Sequence, residues 1–121
     1  MLSFCEKVFD GPVDAIGTQY TPESTWMMVG KADQLYIQAR CGQTTVASVV
    51  VTVAIELSND GQSFAAKAGG SFTVTLTTAG TIVYGQLADG GTSPNGCYVR
   101  LKVTATVGAA YCTVWVAGRT Q

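Results

Sequence analysis

The sequence predicts an all-β fold: a two-sheet antiparallel β-sandwich, jelly-roll-like, with an extended N-terminal arm. Three observations predict it. From Thr25 onward, apolar residues alternate with polar or small ones at a period of two, as in half-buried strands. The alternating runs are rich in Val, Thr and aromatic residues, and turn clusters separate them at intervals of about 8–12 residues. No stretch holds the helical period over several turns.

Residues 1–24 form the arm and residues 25–121 the sandwich domain. Gly11, Pro12, Gly17 and Pro22 interrupt the arm, leaving one short strand at "EKVF". Its Phe4, Val8, Phe9, Val13 and Ile16 are too many apolar residues for a solvated tail. They pack either on the chain's own sandwich or on a neighbour's exposed edge. Strands are expected at 25–30 (TWMMVG), 34–41, 46–58, 63–67, 71–77, 81–87, 97–107 and 110–118. Between them, "SNDGQ", "AGG", "TTAG", "ADGGTSPNG" and "VGAA" read as turns, and Asp60-Gly61 suits a tight reversal with positive φ.

Parity then selects a core. It comprises Leu35, Ile37, Val49, Val51, Val53, Ile55, Leu57, Phe72, Val74, Leu76, Val99, Leu101, Val103, Val107, Val114 and Val116. Each such side chain, fully buried, contributes about 1.5–3 kcal/mol. A single open sheet would leave these faces wet, so two sheets must meet. Opposite the core face of 46–58 stand Val50, Thr52, Ala54 and Glu56, an outer face only half polar.

Composition narrows the function. The 121 residues are 47% hydrophobic and only 12% charged, against a usual charged share of about 25%. Either other subunits cover much of the surface, or the outer faces are simply lined with small residues and Thr. Seven basic and eight acidic residues are dispersed, so no nucleic-acid footprint exists. No apolar run reaches the roughly 20 residues of a membrane helix. The start, "MLSFCEKVFDGPVD", lacks the pattern of a secretory signal. Synthesis in a cytoplasm is expected, with the protein staying there or leaving within a particle.

The chain contains no histidine, and its four cysteines, Cys5, Cys41, Cys97 and Cys112, form no CxxC. No metal or other cofactor is expected. Cys41, Cys97 and Cys112 share core parity and read as small buried residues. A Cys41–Cys112 disulfide requires their strands to pair, and a reducing compartment opposes it. Without histidine the common nucleophile–base dyads are gone. The carboxylates fall mostly in the arm and turns, and "ADGGTSPNG" lacks the ending of a phosphate loop. No catalytic residue is assigned, and the chain is expected not to be an enzyme.

The outer face is more informative. Tyr36, Gln38 and Arg40, then Tyr98, Arg100, Lys102 and Thr104, then Tyr111, Thr113 and Trp115 have outward parity. If their strands share a sheet, aromatic and Arg side chains gather on one side, the types enriched at protein interfaces. The candidate contact residues are therefore Phe4, Val8, Phe9, Tyr36, Arg40, Tyr98, Arg100, Tyr111 and Trp115. The same rings could stack on sugars, or simply form cross-strand aromatic pairs.

Ser58, Asn59, Asp60, Gly61 and Phe64, followed by Tyr98, Val99, Arg100, Leu101, Val103 and Thr104, form an "S-N-D-G-x-x-F … Y-V-R-L-x-V-T" pattern. Over residues 34–118 this resembles small β-sandwich virion proteins of tailed bacteriophages, of the capsid decoration (cement) or minor structural type. The resemblance implies a non-enzymatic protein on the outer capsid surface, made in the host cytoplasm and strengthening joints between major capsid subunits. It implies the major capsid protein or other virion subunits as partners and a homo-oligomer, typically a trimer, with neither nucleic acid nor membrane bound. Rival readings are a glycan-binding module of a fibre or adhesin, a self-assembling tube or filament subunit, and a tail or neck component.

Overall fold

Among the described residues, the alternation is realised as eight strands. They are β1 (Leu2–Asp14), β2 (Gln19–Tyr20), β3 (Gln34–Gly42), β4 (Val49–Ser58), β5 (Ala65–Leu76), β6 (Val83–Leu87), β7 (Tyr98–Ala105) and β8 (Ala109–Thr120). The structure, a computed structural model, describes residues 2–42, 49–76, 83–87 and 98–120. The "TTAG" and "ADGGTSPNG" turns, residues 46–48 and Cys97 lie outside the described residues.

Two four-stranded sheets form, with orders β1-β8-β3-β6 and β2-β7-β4-β5. All pairings are antiparallel. The order has a simple logic. β4 pairs with β5, β3 with β6, β2 with β7 and β1 with β8, so the chain is one long antiparallel hairpin. Rolling it brings β8 against β3 and β7 against β4. This is the jelly-roll arrangement, in which two sheets share one core.

The core follows the strand parity. Leu35, Ile37, Cys41, Cys112, Val114 and Val116 line the inner side of one sheet, and Val49, Val51, Val53, Ile55, Val99, Leu101 and Val103 line the other. Leu57 and Phe72 are half-buried and pack against this cluster. Val107 departs from the expectation and is 48% exposed. β7 stops at Ala105, so Val107 falls in the turn before β8, where Gly108 takes φ 58°.

The N-terminal segment packs on the chain's own sandwich, one of the two places expected for it. β1 pairs with β8 from Leu2↔Thr120 to Asp14↔Ala109, burying Val8 and Val13 while Phe4 and Phe9 pack on the core. A β-bulge between Lys7 and Phe9 resets the parity. That extra residue is why the segment looks aperiodic. Ile16 has no such place and is 98% exposed in the turn after β1.

The expected strand 25–30 is instead helical: a 3₁₀ turn at Glu23–Thr25 runs into α1 at Trp26–Gly30. Pro22 at the N-cap and Glu23 in the first turn are helix-start residues. Val29 is buried and Met28 packs beside it. The expected strands 63–67 and 71–77 are parts of one strand, β5. Its pairing with β4 jumps from Ser71 opposite Ala54 to Ala66 opposite Glu56, so residues 67–70 bulge out at the "AGG" turn.

At Gly118 the two terminal strands meet closely. A Cβ there would lie 2.3 Å from the Phe4 ring and 3.1 Å from the Ala32 Cβ. Gly118→Val is expected to lower stability by about 1–3 kcal/mol through overpacking, measured by urea unfolding. Adding Phe4→Leu should restore part of the loss. An unchanged unfolding midpoint for Gly118→Val would show that Phe4 does not cover that position.

Candidate functional site

The residues of the "S-N-D-G-x-x-F … Y-V-R" pattern come together at one place. Ser58, buried at the end of β4, accepts the backbone N–H groups of Asp60 (3.2 Å) and Gly61 (2.9 Å) at its Oγ and donates to Asp60 Oδ1 (2.8 Å). Asp60 Oδ1 also accepts from Gln62 and Ser63 N–H, each at 2.8 Å. The N–H donors of Ser63 and Gln62, then the Ser58 hydroxyl, hold the Asp60 carboxyl down at about 2. Gly61 takes φ 76°, and a Cβ there would stand 3.4 Å from the Tyr98 ring. The positive φ is what favours a glycine at that position; the ring above would meet a Cβ only at ordinary contact distance.

Arg100 is the hub of the adjoining cluster. Its Nε donates to Glu56 Oε1 at 2.7 Å, across the β4–β7 pair in which Glu56 faces Arg100. Its guanidinium lies 3.9 Å from the centroids of both Tyr20 and Phe64, and 5.7 Å from that of Trp26. Trp26 meets Phe64 edge-on at 5.0 Å and donates its Nε1–H to the Thr21 carbonyl at 2.8 Å. A planar cation between two rings, with its charge met by a carboxylate, is a stabilising arrangement that a lysine cannot copy. It ties β2, α1, β4, β7 and the loop before β5 together. Buried Thr21 completes the tie, exchanging hydrogen bonds with the Leu101 backbone at 3.0 Å.

The candidate contact residues therefore separate. Phe4, Val8 and Phe9 belong to the core side of β1. Tyr98 and Arg100 lie on β7, in the sheet opposite β3 and β8, where Tyr98 covers Gly61 and Arg100 contacts the Tyr20 and Phe64 rings. Their strands do not share a sheet, so no single platform holds the whole set. Tyr36, Arg40, Tyr111 and Trp115 do share one: the outer face of β1-β8-β3-β6.

On that face the register places Trp115 between Lys7 and Gln38, Thr113 between Asp10 and Arg40, and Ala117 between Cys5 and Tyr36. Tyr36 and Tyr111 are 38% and 39% exposed, Arg40 is exposed and Trp115 is half-buried. The Tyr111 hydroxyl and Lys7 hold the Asp10 carboxyl low, and Asp10 in turn raises the Tyr111 hydroxyl. Thr113 Oγ1 donates to Asp10 Oδ1 and Lys7 Nζ to Asp10 Oδ2, both at 3.2 Å. These contacts fix the orientation of the face. Sequence reasoning missed Lys7 and Asp10 here because it left β1 out of the sheet.

The opposite outer face is plainer. Val50, Thr52 and Ala54 of β4 stand between Thr75, Thr73 and Ser71 of β5 on one side, and Thr104 and Lys102 of β7 on the other. The half-polar face of β4 is thus part of a lawn of small residues. Where the β1 bulge meets β2, an open depression of about 340 Å³ is lined by Lys7, Val8, Phe9, Asp10, Tyr20 and Pro22. Comparison with protein-family models and with curated proteins finds no match for the chain.

Two predictions follow from the cluster. Arg100→Leu leaves Glu56 half-enclosed without its partner and should cost about 2–4 kcal/mol in chemical denaturation; a loss near zero would mean that the pair and the ring stack hold nothing. Asp60 has a folded-state pKa of about 2 against an ordinary 3.8, so its contribution is present above the ordinary value and lost as pH falls toward the folded one. The stability gap between the wild type and Asp60→Asn should therefore be level near neutrality and narrow between pH 3.8 and about 2. A gap independent of pH would contradict the carboxylate's role in the turn.

Proposed function

We propose that this chain is a non-enzymatic structural protein of a bacteriophage particle, a capsid decoration protein that binds the outer shell and stabilises contacts between major capsid subunits. The observation that carries this reading is the outer face of β1-β8-β3-β6. There Tyr36, Tyr111, Trp115 and Arg40 share one pleated surface. Exposed Tyr with adjacent Arg and Trp is the composition of contact hot spots. The low charge of the chain, 12%, and the resemblance of residues 34–118 to virion proteins support the same reading. The jelly-roll architecture is compatible with it, being common in capsid and lectin domains.

The mechanism is mechanical. A subunit that touches two capsid subunits at once binds the assembled shell better than separated subunits, and so stabilises assembly by mass action. Four of the described carboxylates have evident structural work: Glu56 pairs with Arg100, Asp60 holds a turn, Asp10 orients Tyr111, and Asp14 accepts the N–H groups of Ile16 and Gly17. Because β1 is an integral strand, contact is assigned to the sheet face and not to a detachable arm.

Co-sedimentation of the purified chain with expanded phage capsids tests the assignment. Arg40→Glu with Tyr111→Ser should weaken binding by about 10-fold or more without lowering the melting temperature. Ser71→Glu with Thr73→Glu, on the opposite sheet, should leave binding intact. The reverse pattern, or a wild type that binds no capsid, would overturn the proposal.

A further inference from the structure

Two thiols face each other inside the sandwich. Cys41 on β3 is directly opposite Cys112 on β8, and their sulfurs are 3.1 Å apart. Both side chains are fully buried, with Ala39 and Val114 next to them on the same inner face. Directly opposed residues of an antiparallel pair have Cα atoms about 4.5–5.5 Å apart, within the roughly 4.4–6.8 Å that a disulfide spans. Both strands are held in register by their neighbours, which keeps the two sulfurs facing each other.

We infer that Cys41 and Cys112 are a cross-strand redox pair that closes to a disulfide once the protein leaves a reducing compartment, stapling β3 to β8. Cys112 donates its S–H to Cys41. That hydrogen bond lowers the Cys41 thiol and raises the Cys112 thiol. Because both thiols are buried, exchange begins while the chain folds or when the strands open transiently. With a small disulfide such as oxidised glutathione as oxidant, one thiolate of the pair forms a mixed disulfide and expels one glutathione thiolate. The other cysteine then loses its proton, attacks the sulfur of the first and expels the second glutathione. The two cysteines are oxidised by two electrons in all, and the glutathione disulfide is reduced to two thiols.

The bond would join positions 71 apart in sequence, a long loop whose closure strongly restricts the unfolded chain. The positions also bridge the centre of the sheet, since β8 and β3 are its two inner strands. The staple is independent of the virion reading: it requires only a change of redox environment. In a reducing cytoplasm the pair stays as two thiols and packs as small apolar groups.

Each cysteine falls in a different tryptic peptide, so mapping is unambiguous: 1–7, 41–67, 68–100 and 103–119. The full chain is refolded from denaturant in a glutathione redox buffer, which removes burial as a barrier, and digested without reduction. Peptides 41–67 and 103–119 should be recovered joined. The melting temperature should fall on the order of 10 °C when dithiothreitol is added, and the Cys112→Val variant should show no such dependence. Recovery of the two peptides separately, their joining to the peptide of Cys5 or Cys97, or a melting temperature indifferent to reductant would overturn the inference.

Discussion

The position of β8 between β1 and β3 is the constraint on which the rest of the molecule depends. Only residues 106–108 separate β7 from β8, a connection short enough for a hairpin. The strands nevertheless enter opposite sheets. Two sets of bonds fix this corner. Thr106 is tied to β4, its N–H donating to the Val50 carbonyl and its hydroxyl accepting the Val50 N–H, both at 3.1 Å. Two residues later the Gly108 carbonyl accepts the N–H of Ala15 at 3.1 Å, beside the end of β1. The chain is thus handed from one sheet to the other within one turn.

From that placement the remaining features follow. With β8 inside its sheet, Cys112 meets Cys41, Gly118 gives room to Phe4, and Tyr111 and Trp115 join Tyr36 and Arg40 on one outer face. With β7 in the other sheet, Arg100 faces Glu56 and turns its guanidinium toward Tyr20 and Phe64. The residues of the "S-N-D-G-x-x-F … Y-V-R" pattern are therefore residues that build the fold. Ser58, Asp60, Gly61 and Tyr98 shape a turn, and Arg100 and Phe64 lock it to the sheet.

Much of the fold was legible because strand parity is a local property. Val49, Val51, Val53 and Ile55 alternate without interruption, and all are buried. The signal failed where geometry breaks the period. In β1 the bulge at Lys7–Phe9 places Val8 and Phe9 both toward the core, so a strand of full length read as an arm. "TWMMVG" is an apolar run too short for periodicity to separate helix from strand, and the decisive cue lay upstream in Pro22 and Glu23. Which strands share a sheet is a long-range property that parity cannot express. Grouping Tyr98 and Arg100 with Tyr36 and Trp115 was conditional on a shared sheet, and β7 lies in the other one.

Backbone nuclear Overhauser effects measured on the isolated chain test the placement of β8 most directly. The account predicts cross-strand contacts between Val13 and Ala110, Cys41 and Cys112, and Ile37 and Val116, together with Val53 opposite Val103 in the second sheet. Contacts running instead between β7 and β8, as in a simple hairpin about residues 106–108, would contradict it. The shared outer face and the facing thiols would then both be lost.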